Sequence, residues 1–162
     1  MYLNAHTYYS MGYGTLSPQD LVQKAAAMGV KRLALTDINN TSAAFPFVRA
    51  CRQHKIEPVL GIEFRQDGEY RYTGIAKTTE GWANLCRFLS EHSLQQKALP
   101  EIAPLLEDVF LIYRKAKKAP RAFSKQEFLG VRPAEVHRLS RSGWRDYADR
   151  LIAFQAVVFQ NE

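Results

Sequence analysis

Three short apolar runs, each ending in polar residues and separated by helix-like segments, constrain this chain more than any other feature. They are LNAHTYYS at the start, LALTDINN after it and PVLGIEF further on. Runs that stay apolar through their centre suit strands buried on both faces, as in a parallel sheet, and the groups at their C-terminal ends share one rim. The segment SPQDLVQKAAAMG between the first two reads as a helix with explicit punctuation. Ser17 caps it, Pro18 suits its first turn, Asp20 complements the dipole and Gly29 stops it. Its apolar face is Leu21, Val22, Ala25 and Met28 at helical spacing.

The same logic extends along the chain. Strands are expected at Tyr2 to Ala5, Arg32 to Thr36 and from Glu57 into GIEFR. A second helix is expected from Ser42 to His54, with Ala44, Phe47, Val48 and Cys51 on one face and Asn39, Asn40 and Thr41 as its caps. Asp67-Gly68 predicts a tight hairpin returning through EYRYTGIA. EGWANLCRFLSEH then predicts a helix with Trp82, Leu85, Cys86 and Leu89 facing the sheet. The alternation argues for an α/β fold with right-handed crossovers.

The second half is less regular. A strand is expected over Asp108 to Arg114, a shorter one in EFLGVR, a helix from Pro133 to Leu139, and one or two strands in LIAFQAVVFQ. Residues 1–95 therefore read as the N-terminal βα units, and residues 96–162 as a continuation of the same domain. No repeat or low-complexity tract interrupts them.

Nothing in the sequence approaches the ~18 apolar residues of a membrane span, and MYLNAHTYY lacks the basic start and apolar core of a signal peptide. A cytoplasmic protein without a membrane partner is expected. Cys51 and Cys86 fall on apolar helical stripes and are expected to be reduced core residues. The net charge of +6 gathers in RKAKKAPRAFSK, where Arg114, Lys115, Lys117, Lys118, Arg121 and Lys125 have no acid among them. Such a run suits contact with phosphates, DNA included, or a solvated surface loop.

Are the polar strand ends a metal-dependent active site, or the remains of one? LNAHTYYSMGYGTLSP, LALTDINN, PVLGIEF and GIAKTTEGWANLCRFLS resemble, in order and spacing, the polymerase and histidinol phosphatase (PHP) domain. The version they resemble most is the one at the N-terminus of bacterial DNA polymerase III alpha subunits, most clearly over residues 1–95. The resemblance implies a distorted (β/α)7 TIM-like barrel, here partial. In active members it implies a cluster of metal ions that hydrolyses phosphoesters through paired-metal activation of water.

Carried over position by position, that resemblance implies a site with ligands lost. The first motif, His-x-His in the family, is Asn4-Ala5-His6 here, and Tyr13 stands before Gly14 where an acid is usual. Thr-Asp-His has become Thr36-Asp37-Ile38, while the carboxylate of Gly-x-Glu survives as Glu63. His6, Asp37 and Glu63 are the remaining candidate ligands. Together they fall short of a closed four-coordinate site. His54, His92 and His137 read as surface histidines. No cofactor is expected, or at most a weakly bound zinc, manganese or magnesium ion. His6, Asp37 and Glu63, joined by Asn4, are instead expected to form a hydrogen-bonded cluster, with Tyr8, Tyr9 and Tyr13 filling space above it.

The expected role is a non-catalytic PHP domain that supports the rest of a DNA polymerase III alpha subunit in DNA replication, the nucleotidyltransferase chemistry lying in other residues of the parent. A metal-dependent phosphoesterase or 3'-5' proofreading exonuclease is the enzymatic alternative. An interaction module for another replisome subunit is a third. PHP domains are longer than this chain, so a shortened barrel with open strand edges, and with them self-association, is also expected.

Overall fold

The helix that begins at Pro18 starts where its punctuation places it: the Ser17 hydroxyl accepts the Asp20 N–H at 3.0 Å, and the chain turns at Gly29 with φ of +69°. The computed structural model describes residues 2–157. Its helices are α1 (Pro18–Ala27), α2 (Ala44–Gln53), α3 (Thr79–Leu94) and α4 (Pro133–Leu139). Its strands are β1 (Tyr2–Ala5), β2 (Arg32–Leu35), β3 (Glu57–Gln66), β4 (Glu69–Ala76), β5 (Val109–Tyr113), β6 (Glu127–Val131) and β7 (Leu151–Ala153).

All seven strands lie in one sheet in sequential order. The β3–β4 hairpin turns at Asp67 and Gly68, both with positive φ (52° and 79°), the conformation that a type I′ turn requires. That hairpin sets β4 antiparallel to both of its neighbours, and every other adjacent pair is parallel. Every parallel strand therefore ends at one rim, and β4 begins there.

The sheet curls around an interior to which every strand contributes. Ala34, Ile75, Ile112 and Phe154 are buried there, with Leu3, Val59, Tyr70, Phe128 and Ile152 packed against them. The opposite face of β1 and β2 packs on α1 and α2 through Leu21, Val22, Phe47 and Cys51. The outer face of β3 to β6 carries a second layer that includes Leu85 and Phe88 of α3. This is a curled, seven-stranded half-barrel, the partial TIM-like architecture expected from the motifs.

Beyond β7 the chain turns inward at Phe154, 1% exposed, and comes back to the first strand. The Val157 N–H donates to the Asn4 carbonyl at 2.8 Å, and Val157 bridges Ala5 in parallel. The β1 edge, expected to be open, is thus met by the chain's own C-terminal segment at that point. Of the strands expected in LIAFQAVVFQ, β7 and this bridge are seen, and residues 158–162 lie outside the described residues.

Three expectations need correction. The N-cap of α2 is Ala43, with no side-chain cap; Asn39 is drawn instead to the backbone of Arg65, and Asn40 accepts the Ser42 N–H at 2.8 Å. Met28, expected on the apolar face of α1, is 59% exposed, whereas the expected face of α2 is buried, with Ala50 added to it and Val48 half-buried against the same cluster. His92 is half-buried, because its ring lies 4.3 Å from that of Phe88, one turn back on α3, with its Nδ1 2.9 Å from the Phe88 carbonyl oxygen. Cys51 is fully buried and Cys86 half-buried, and both are free thiols.

The interior plug is testable. Phe154→Ala should lower unfolding free energy by about 3–5 kcal/mol, as loss of a buried aromatic does, measured by chemical denaturation. Phe45→Ala, at an 89% exposed position on α2, should change it by less than about 0.5 kcal/mol.

Candidate functional site

The rim where the parallel strands end holds His6, Asp37 and Glu63, and both carboxylates are already engaged. Asp37, just past β2, is 1% exposed. Its Oδ1 accepts the Thr7 N–H (2.7 Å) and the Ser10 hydroxyl (2.6 Å), and its Oδ2 accepts the Thr7 hydroxyl (2.7 Å). Ser10 in turn accepts the Ile38 N–H at 2.9 Å. Asp37 thus ties the loop after β1 to the end of β2, and Ile38 takes part through its backbone alone. The same loop closes so tightly that a Cβ on Gly14 would lie 2.0 Å from the Thr7 carbonyl oxygen.

Glu63 sits one strand over, 1% exposed, between the side chains of Arg65 and His6. The Arg65 Nε donates to its Oε1 at 2.6 Å, and the His6 Nε2 lies 3.3 Å from its Oε2, an ion-pair contact without hydrogen-bond alignment. Burial alone would push the Glu63 carboxyl up; the contacts from His6 and Arg65 outweigh it and hold the group below the usual glutamate range.

Arg65 is the residue that motif reading overlooked. It follows Glu63 by two positions on one strand, so the alternation of β side chains puts both on the same face. Its guanidinium carbon lies 4.0 Å from the centroid of the Tyr13 ring, which gives the cation a π face. Its backbone is clamped by Asn39, whose amide donates to the Arg65 carbonyl (2.8 Å) and whose Oδ1 accepts the Arg65 N–H (3.0 Å). Asn39 adopts φ of +46° to reach it. Asn39 of the TDINN segment therefore holds the backbone of Arg65 in place.

Asn4 is fully buried; its Oδ1 accepts the Thr36 hydroxyl at 3.0 Å, while its Nδ2 has no hydrogen-bond partner among the described residues. Of the three tyrosines expected above the cluster, Tyr13 covers Arg65, whereas Tyr8 and Tyr9 stack on one another at 4.7 Å. The cavity beside His6, lined by Tyr13, Gly14, Leu16, Leu21 and Val157, holds about 10 Å³. That is room for about one water molecule.

A divalent ion is the cofactor that the family resemblance implies, and this donor set does not fit one. Asp37 is committed to three hydrogen bonds, Glu63 is neutralised by Arg65, and Ile38 has no donor atom. Among the described residues no three His, Cys, Asp or Glu side chains are grouped as a metal ion would need.

The basic segment after β5 divides into two populations. Lys118 is not a free surface charge: its ammonium donates to both oxygens of buried Glu127, at 2.6 and 2.7 Å. Burial pushes the Glu127 carboxyl up, but Lys118 and Ser124 prevail and hold it below the usual range. Lys117 lies 3.6 Å from Glu101. Arg114 lies 6.0 Å from the Tyr70 ring, and Lys115, Arg121 and Lys125 are exposed.

Comparison with known proteins bears on this geometry. The family model described as PHP domain matches residues 3–160. An error-prone DNA polymerase from Symbiobacterium thermophilum is 36% identical over 97 residues, covering 60% of this chain and 9% of that polymerase. The DNA polymerase III subunit alpha of Vibrio cholerae is 26% identical over 165 residues, covering 98% of this chain and 14% of that protein. The chain thus spans about a tenth of the length of the curated relatives it matches. Among solved structures, an amidohydrolase from Chromobacterium violaceum aligns with a TM-score of 0.43 and 24% identity, over 59% of this chain and 34% of that one.

The charge arrangement fixes the sign of an acid response. Because the folded Glu63 carboxyl lies below its unfolded value, its stabilisation is complete above about pH 4.3 and is lost as pH falls through the folded value. Glu127 acts in the same direction. Glu63→Gln should therefore flatten, without abolishing, the loss of stability between neutral and acid pH, as followed by denaturant midpoints across that range.

Proposed function

This chain belongs to the PHP domain family, and from that premise we propose that it serves DNA replication as the PHP domain of a DNA polymerase III alpha subunit. Its role is non-catalytic: it supports the rest of that cytoplasmic polypeptide, and nucleotidyl transfer belongs to residues elsewhere in the parent. Residues 1–95 and 96–162 act as one domain in this role. The coverage of the chain by a replicative alpha subunit supports the parentage.

The observation that carries the non-catalytic reading is the Arg65 guanidinium on Glu63. Metal-dependent phosphoester hydrolysis needs carboxylates and imidazoles free to ligate at ~2.0–2.2 Å, and an open position for water and substrate. Here a fixed side-chain cation supplies the positive charge that Glu63 needs. Asp37 serves loop closure, and the space beside His6 is about 10 Å³. The old ligand positions have become structural polar contacts that hold the rim of the half-barrel in one shape.

Elemental analysis of protein purified without chelator tests this, together with hydrolysis of a chromogenic phosphodiester in added zinc, manganese or magnesium. The reading predicts substoichiometric metal and no metal-dependent turnover. Tightly held ions at stoichiometric or higher levels, with hydrolysis that chelation abolishes, would replace it with an enzymatic one.

A further inference from the structure

On the same rim, beyond the β3–β4 hairpin, lies a second and much larger depression. It has a volume of about 810 Å³ and is formed by the start of β4, the ends of β5 and β6, and α4. Six cationic side chains line it: Arg71, Arg114, Lys115, Lys117, Arg132 and Arg138. They come from separate stretches of sequence, so only half of them belong to the basic run after β5. The fold assembles the rest.

Little within the protein neutralises these charges. Exposed Glu101 lies 3.9 Å from Arg71 and 3.6 Å from Lys117, a loose share of one carboxylate between two cations. Glu135 is in the wall but spends its Oε2 on the Arg132 backbone N–H at 2.8 Å. Glu69 is the other carboxylate of the lining. Arg71 also keeps a buried Nε with no hydrogen-bond partner among the described residues. A buried guanidinium donor without an acceptor is costly.

We propose that this cleft binds the phosphodiester backbone of a nucleic-acid strand. Four of its six cations are arginines, whose planar fork matches phosphate oxygens in pairs, and they are spread along an open depression rather than focused on one point. The assignment to nucleic acid over an acidic peptide rests on the replication reading given above. The set differs from the basic run itself: Lys118 is held by Glu127, and Arg121 and Lys125 are outside the lining.

Fluorescence anisotropy with a labelled single-stranded oligonucleotide tests the proposal on the full chain. Arg132 and Arg138 are exposed on the wall, so the double variant R132E/R138E should fold normally, as circular dichroism will check. It should weaken binding at least tenfold and reduce the salt dependence by about 0.7 per lost phosphate contact. R121E/K125E, an equal charge reversal outside the cleft, should weaken binding no more than about twofold, as expected of screened charges away from the contact. Equal losses in the two double variants would overturn the proposal, as would displacement of the oligonucleotide by polyglutamate of matched charge at equal concentration. Failure of the replication reading is told apart by the metal assay: metal-dependent hydrolysis with intact cleft binding would overturn that reading alone, and metal-free protein without cleft binding would overturn this proposal alone.

Discussion

A carboxylate buried at 1% exposure must be given a positive partner or a proton, and the rim of this protein is organised around how Glu63 is given one. Arg65 donates to it at 2.6 Å and His6 approaches at 3.3 Å. Everything adjacent follows from keeping the guanidinium there. Tyr13 offers its ring face, Asn39 takes up a left-handed backbone conformation to hold the Arg65 peptide, and the chain beyond β2 runs alongside Glu63 through the Ile38 bridge. The cluster draws on three separate strand ends, so it cross-links the rim as well as balancing charge.

Asp37 shows the same economy of structure by other means. Its three short hydrogen bonds all go to Thr7 and Ser10, which fixes the loop after β1 against the end of β2. The loop then packs so closely that Gly14 touches the Thr7 carbonyl. Across the sheet, Glu127 and Lys118 repeat the pattern of a buried carboxylate with a tethered cation, this time beneath the segment after β5. Each pair anchors an irregular connection to a regular strand.

Much of this was legible in the sequence. Ser17, Pro18 and Gly29 punctuate α1, Asp67-Gly68 makes the hairpin, and the polar ends of LNAH, LTDI and GIEF converge on one rim, because these signals act over a few residues. What stayed hidden depends on partners distant in sequence. Lys118 read as one charge in a solvated run because Glu127, on the next strand, neutralises it only once β6 is in place. Asn39 read as a helix cap because its true partner, Arg65, lies on β3. Arg65 itself had a signal, its two-residue spacing from Glu63, but a search for metal ligands passes over a cation. The run LIAFQAVVFQ signalled strand, but not that Val157 would return to pair with β1.

The central claim is that Arg65 and Glu63 are a coupled charge pair that stands without metal. A double-mutant cycle with Glu63→Gln and Arg65→Ala, measured by denaturation in the presence and absence of chelator, tests it most directly. The account predicts a coupling free energy of about 2 kcal/mol or more, within the range for contacting residues, unchanged by chelator. Additive effects within about 0.5 kcal/mol, or a coupling that chelator alters, would contradict it.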